Sequence, residues 1–324
     1  MTHQNHLPPL KPLFIERMKQ LLPDEKDFQK YMDILKVFPV RSIRCNTLKI
    51  SPDKLKKQLE ENGWKINQPW RDYPEVMIVE NNLMPGELGR ALEHLLGYYY
   101  IQELASMLPI IALKPQPNEM VLDLCAAPGS KTTQIAAEMQ NTGTIIANEV
   151  SMGRLKILAS NLERCGVTNT IITKKDGIAL CNRLEKQDIK FDKILVDAPC
   201  SGEGTLRSSP KTYLMWNPNT IKSLSKLQKQ LFKAAFEILK PEGEIVYSTC
   251  THAPEEDEAI ASWALEEFKD RIKIEKISLP ITPREGLTQW QNEVYNPKVK
   301  QTWRVYPHDN NTEGFFVSKF RRVK

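Results

Sequence analysis

Apolar side chains recur at helical spacing near the start of the chain, in LFIERMKQLL over 13–22 and DFQKYMDILKVF over 27–38. SIRCNTLKI at 42–50 switches to alternation, with Ile43, Cys45 and Thr47 on one side, which is the period of a half-buried strand. Ser51-Pro52 supplies a helix cap and a first-turn proline, and the helix DKLKKQLEENG stops at Gly63. VMIV at 76–79 reads as a further strand, and the turn-rich NNLMPGELG at 81–89 marks a boundary. These signals predict a small α/β unit over residues 1–90.

From about residue 97 strands and helices alternate. VLDLC (121–125) precedes a helix over about 132–139, and TIIANE (144–149) precedes one with Leu155, Leu158 and Leu162 on one face. NTIITKKD (169–176) and KILVDAP (193–199) follow, and then a long helix with Ile221, Leu224, Leu231, Ala235 and Leu239 on one stripe. EIVYSTC (244–250) comes next, with a helix over Ile260, Trp263, Ala264 and Phe268 behind it. Near-continuous apolar strands separated by amphipathic helices predict a mostly parallel, Rossmann-like α/β sheet over residues 91–324, covered on both faces. GFFVSKF (314–320) is expected to close it as an antiparallel edge strand. The sequence has no internal repeat or low-complexity segment.

In such sheets ligands bind beyond the carboxyl ends of the strands. The first of these ends runs into LCAAPGSKT (124–132), which is neither GxGxxG nor the GxxxxGK[ST] phosphate loop. Its small residues still allow close backbone approach, and a helix start behind them offers amides to a carboxylate. The next ends carry Glu149, placed to meet ribose hydroxyls, Asp176, placed to meet an adenine amino group, and Asp197. Each acid alone reads more readily as a helix cap or solvated residue. Together they describe an adenosyl ligand without a pyrophosphate, and S-adenosylmethionine fits better than NAD, whose glycine fingerprint is missing.

Composition narrows the class. With 324 residues, 41% hydrophobic and 26% charged, the chain has room for two globular domains. Its apolar runs are too short to span a membrane, and MTHQNHLPPLKPLF lacks a secretory apolar core, so a cytoplasmic, monomeric protein is expected. A net charge of +5, with Lys174-Lys175 and the tail KFRRVK, is compatible with a polyanion. The six cysteines (45, 125, 165, 181, 200, 250) contain no CxxC pair, so no zinc or other metal site is expected.

Cys200 in DAPC and Cys250 in YSTC both end predicted strands on the cofactor rim. Two thiols and a carboxyl beside S-adenosylmethionine point to cytosine carbon-5 methylation. That carbon becomes nucleophilic when a thiolate adds at carbon-6, an acid at N3 absorbs the developing charge, and the carbon-5 proton must then leave before the thiolate is expelled.

These residues resemble the Sun/Nop-type RNA cytosine-5 methyltransferases. LDLCAAPGSKT, DAPCSGEG and YSTCT are the most specific blocks. RCNTLK (44–49) is similar to the family's small, RRM-like RNA-binding region, GYYYIQELASM (97–107) to the entry of its catalytic domain, and Arg304, Pro307-His308 and TEGFF (312–316) to its closing segment. The resemblance implies that Cys250 adds to carbon-6, that Cys200 assists proton removal or release, and that Asp197 contacts the ring. It implies cofactor contacts from Cys125, Ala126, Ala127, Pro128, Gly129, Ser130, Lys131, Glu149, Arg154, Asp176 and Asp197, with Lys131 orienting either the target base or the cofactor carboxylate. Ser130 replaces the family's usual glycine, and a positive φ there would carry strain.

DNA cytosine methyltransferases use the proline-cysteine of the fourth-strand block as nucleophile and carry a recognition domain, so RNA is the expected substrate and DNA is not. The layout is most similar to archaeal-type transfer-RNA enzymes, with a ribosomal RNA enzyme as the alternative and a catalytically dead RNA-binding factor as the reading from another class. The target base must be flipped out to reach Cys250, and Tyr98, Tyr99, Tyr100, Trp303 and Tyr306 are candidates to stack on bases.

Overall fold

A computed structural model describes residues 8–81, 83–214 and 216–323; residues 1–7 of the amino-terminal stretch discussed above, Asn82 of the turn-rich boundary and Lys324 of the basic tail lie outside them. The early helical pattern forms α1 (Pro12–Leu21) and α2 (Glu25–Leu35), and the alternating segment forms β1 (Arg41–Cys45). After α3 (Pro52–Glu61) come β2 (Ile66–Asn67), β3 (Val76–Val79) and β4 (Tyr99–Ile101). These four strands make an antiparallel sheet in the order β2-β3-β1-β4.

This small sheet runs past residue 90, because its fourth strand comes from the GYYYIQ segment. Nor do α1 and α2 cover it. Phe14, Met18, Tyr31 and Leu35 pack in one cluster with Phe232 and Tyr247 of the large sheet's helical layer and strands. Arg17 adds a two-pronged contact to Glu255 at 2.9 and 2.8 Å. Helical spacing shows that an apolar face exists, not which sheet it covers.

The large unit follows in alternation: α4 (Leu104–Leu113), β5 (Met120–Asp123), α5 (Ser130–Glu138), β6 (Thr144–Asn148), α6 (Met152–Cys165), β7 (Thr170–Thr173), α7 (Gly177–Lys186), β8 (Phe191–Asp197), α8 (Pro218–Glu237), β9 (Leu239–Thr249) and α9 (Glu258–Phe268). Then come β10 (Ile272–Glu275), β11 (Arg284–Glu285), β12 (Trp303–Val305) and β13 (Phe315–Arg322). The strand order is β11-β12-β13-β9-β8-β5-β6-β7, with β10 also on β13; β5 to β9 are mutually parallel and β13 runs antiparallel to β9. The expected parallel sheet with an antiparallel final strand is what forms. The final strand is not an edge, however, since β12 and β10 pair with its far side.

Alternate residues of the strands enter opposite layers. Val121, Leu195 and Val246 pack on α4 and α5, while Leu122, Ile194, Val196 and Ile245 pack on α7, α8 and α9. Among the described residues no helix is long and apolar enough to cross a membrane.

Two buried arginines fix the arrangement. Arg44 of β1 reaches the large unit, donating to the Ser130 carbonyl (2.8 Å), Thr133 Oγ1 (2.8 Å) and Gln102 Oε1. Arg304 of β12 meets Glu258 at the start of α9 with two bonds of 2.5 Å, and donates to the His252 carbonyl at 3.0 Å. Both Arg304 and Glu258 are buried, so removing one partner leaves an uncompensated charge. Arg304→Met is therefore expected to destabilise the fold by about 3–5 kcal/mol, read as a shift of the urea midpoint. Adding Glu258→Gln should recover much of that loss.

Candidate active site

The cofactor loop starts where β5 ends. Gly129 takes φ +104°, and a Cβ there would lie 3.0 Å from Leu158 Cδ1. Ser130 is the first residue of α5 and is not among the positive-φ residues, so the strain expected at Ser130 does not arise; Gly129 carries the unusual geometry. The loop carbonyls are gripped from outside: Pro128 by Asn161 (2.9 Å) and the Tyr100 hydroxyl (3.3 Å), Ala127 by Arg154 (2.5 Å), Ser130 by Arg44. The Ala126 amide donates to the Asn148 carbonyl and that of Gly129 to Ala126. Cys125 lies in this loop, and burial pushes its thiol up, so it is no resting thiolate.

Glu149 is buried, accepting from the Ser151 amide (2.8 Å) and meeting Arg154 at 3.1 Å. Asp176 is exposed and accepts from the Ala179 amide at 3.0 Å, so it caps α7 from its place on the rim. Asp123 was missed by the sequence reading, although it ends a parallel strand as Asp197 does. One of its oxygens accepts from Thr132 Oγ1 at 2.7 Å; the other, Oδ1, is buried without a hydrogen-bond partner. Burial is the main force that pushes its carboxyl up to about 7. An orphaned acceptor beside a small-residue loop, with Glu149 on the next strand, fits a ligand bearing an amino group and ribose hydroxyls.

The second half of the site follows from strand register. Parallel pairing sets Asp197 of β8 opposite Ser248 of β9, so the chains leave both strands side by side. Cys200 and Cys250 then meet with their sulfurs 3.2 Å apart, and the Cys250 amide donates to Cys200 Sγ at 3.3 Å. The Cys200 thiol is pushed well up, first by its hydrogen bond with Cys250, then by burial and by the charge of Cys250. Cys200 thus holds its proton more tightly than a free thiol does.

Lys131, from the start of α5, sits 2.8 Å from Asp197 and donates to Ser106 Oγ at 3.1 Å. Burial works against its charge, but Asp197 and then Cys250 outweigh that and raise it, so Lys131 stays protonated. Asp197 also accepts from Ser248 Oγ at 2.7 Å. The predicted catalytic residues Cys250, Cys200, Asp197 and Lys131 therefore come together.

Their loops are tied to one another. The Gly204 amide donates to the Cys250 carbonyl and the Gly314 amide to the Gly204 carbonyl, both at 2.9 Å. A Cβ on Gly204 would lie 2.3 Å from the Gly314 oxygen. Glu256 accepts from the Ser201 amide (3.0 Å) and Gln228 (2.8 Å), and burial pushes its carboxyl up to about 7.

Cys45, Cys165 and Cys181 are buried, and burial raises each thiol, so these three are core residues. Tyr99, Tyr100 and Tyr306 are also buried, which withdraws them as base-stacking candidates; Tyr100 braces the cofactor loop instead. Tyr98 and Trp303 are half-buried.

Residues 110–321 match the family model of the 16S rRNA methyltransferases RsmB/F, and residues 10–104 match that of the N-terminal domain of 16S rRNA methyltransferase RsmF. The chain belongs to the RsmB/F family. It is 39% identical over 315 residues to the ribosomal RNA small subunit methyltransferase F of Erwinia tasmaniensis, covering 96% of this chain but only 63% of that protein. It is 38% identical over 325 residues to the tRNA (cytosine(49)-C(5))-methyltransferase of Pyrococcus abyssi, covering 100% of both. The solved structure of NSun6 from Pyrococcus horikoshii, with the S-adenosylmethionine analogue SFG, superposes with a TM-score of 0.82 at 26% identity, over 97% of this chain and 99% of that one. S-adenosylmethionine is the cofactor of this methyltransferase fold.

The raised carboxyl of Glu256 gives a pH test. Its proton is held more tightly in the folded state than in the unfolded one, so its contribution is full below about pH 4.5 and is lost as pH rises through about 7. Glu256→Gln mimics the protonated acid. Urea unfolding between about pH 5 and 8 should show a shallower loss of stability in the variant, by on the order of 3 kcal/mol.

Proposed function

We propose that the chain transfers a methyl group from S-adenosylmethionine to carbon-5 of a cytosine in RNA, through a covalent bond between Cys250 and carbon-6. The observation that carries this reading is the 3.2 Å approach of two cysteine sulfurs beside the Lys131–Asp197 pair. The bound cofactor supplies an electrophilic methyl on a sulfonium sulfur. Asp123, Glu149 and the loop from Cys125 to Lys131 hold it, with Arg154 bracing Glu149 and the loop and Asp176 on the outer rim.

Cys250 adds to carbon-6 as the thiolate, with the Cys200 sulfur 3.2 Å away and the Lys131–Asp197 pair beside it. The Lys131–Asp197 pair faces the ring, and a proton passed from it to N3 neutralises the negative charge that develops there, leaving carbon-5 able to accept the methyl; N3 returns that proton when the adduct collapses. The same step changes Cys200. Its proton is held chiefly by its bond to Cys250 and also by that residue's charge, and a sulfur tied to carbon-6 withdraws both. Cys200 can then give its own proton to solvent and, as thiolate, take the one on carbon-5, so that one proton is released for each methyl transferred and the sulfonium leaves as a neutral thioether. Elimination returns Cys250 as thiolate and closes the cycle with atoms and charge balanced.

The end-to-end match to a transfer-RNA enzyme supports transfer RNA as substrate. The 39% identity to ribosomal enzymes, of which the chain spans 63%, supports small-subunit ribosomal RNA as the second reading.

With tritiated S-adenosylmethionine, label is expected in unmodified transfer-RNA transcripts; label in small-subunit ribosomal RNA alone would favour the second reading. Cys250→Ala should lose at least about 10³-fold in rate and form no denaturation-resistant RNA adduct. Cys200→Ala should accumulate that adduct on gels, and the reverse pattern would exchange the two roles.

A further inference from the structure

Among the described residues Phe38 is the only exposed aromatic side chain, 51% exposed, in a chain that buries or half-buries every other Phe, Tyr and Trp. Its neighbour Val37 is 46% exposed. Exposed apolar residues are ordinary where the backbone is free to wander, but this backbone is clamped. Arg207, itself buried, donates through Nε to the Val37 carbonyl (3.0 Å) and through Nη2 to the Phe38 carbonyl (3.1 Å). The same guanidinium donates to the Thr312 carbonyl (2.7 Å) and Asn311 Oδ1 (2.8 Å). Arg207 lies on the loop that follows Cys200, and Thr312 precedes Gly314, whose amide holds Gly204 against Cys250. A run of hydrogen bonds therefore links the backbone that presents the ring to the loops that hold Cys250.

Charge agrees with position. Arg41 is exposed three residues after Phe38, whereas the exposed Lys36 on the other side is paired with Asp33 at 2.7 Å. A bare ring on a clamped backbone, with Arg41 close by and tied through Arg207 to the loop that follows Cys200, is suited to a polyanion carrying flat bases. Flipping a cytosine into the site also leaves the adjoining base without a stacking partner, and an aromatic side chain can replace what is lost.

We propose that Phe38 stacks on an RNA base near the flipped cytosine and so acts as a specificity-determining contact for substrate RNA, an inference that rests on the RNA methyltransferase reading above. Ring stacking, not apolar area, is the working part.

The test is methyl-transfer kinetics on the RNA that wild type modifies, a transfer-RNA transcript or a small-subunit ribosomal RNA fragment. Phe38→Ala and Phe38→Leu should each raise KM roughly tenfold with kcat unchanged, and Phe38→Trp should restore it. Thermal melts confirm that each variant is folded. An unchanged KM in folded Phe38→Ala, or a Leu variant as good as wild type, overturns stacking. So does a loss confined to kcat, or a wild-type dimer that Phe38→Ala disperses. If wild type labels no RNA, the functional reading itself fails, a result distinct from any of these.

Discussion

The parallel pairing of β8 with β9 is the constraint on which the site depends. Register alone puts Asp197 beside Ser248, and the two chains then leave the sheet together, so that Cys200 and Cys250, 50 residues apart in sequence, come within 3.2 Å. A slip of one residue would turn each side chain to the other face of the sheet and separate the sulfurs. The register is held by the layers on either side, where Leu195 and Val246 face one set of helices and Val196 and Tyr247 the other. Core packing is therefore what aligns the thiols.

Register delivers the cysteines to the rim, but loops must hold them there. Gly204 and Gly314 approach too closely for any side chain, which makes their backbones a strut behind Cys250. Glu256 ties the loop after Cys200 to the loop after Cys250, and Arg304 ties the latter to α9 through Glu258. Buried acids are a costly way to fasten loops, because each must be matched by donors. What they provide is geometry, which holds the two sulfurs at 3.2 Å.

Much of this was legible in the sequence because sheet rules are local. Apolar runs between amphipathic helices dictate a parallel sheet, and acids or thiols at run ends dictate a rim, which is why Cys200, Cys250, Asp197 and Glu149 could be placed from the chain alone. What pattern could not say is what covers what. The faces of α1 and α2 were visible, but not that they cover the large sheet. The final strand was visible, but not that β10 and β12 would flank it. Tyr100 and Tyr306 were read as possible base platforms because burial is a tertiary fact, and Phe38 passed as the last residue of a helical pattern for the same reason. Asp123 was overlooked beside the more conspicuous loop it precedes.

Arg44 shows how the two sheets act as one body. Its side chain is buried among neutral acceptors, the Ser130 carbonyl, Thr133 Oγ1 and Gln102 Oε1, with Tyr100 alongside, and burial lowers its guanidinium to about 10. Among the described residues no carboxylate hydrogen-bonds Arg44, and the charges of Glu138 and Glu75 offset only part of that desolvation, so the bonds are a costly way to gain stability. The fork does something an apolar residue cannot: it fixes the first turn of α5 to the middle of β1 through several directed bonds. Ser130 and Lys131 are in that turn, one beside the cofactor loop and the other on Asp197. The small sheet, the loop before α5 and Lys131 are thereby held to a common frame.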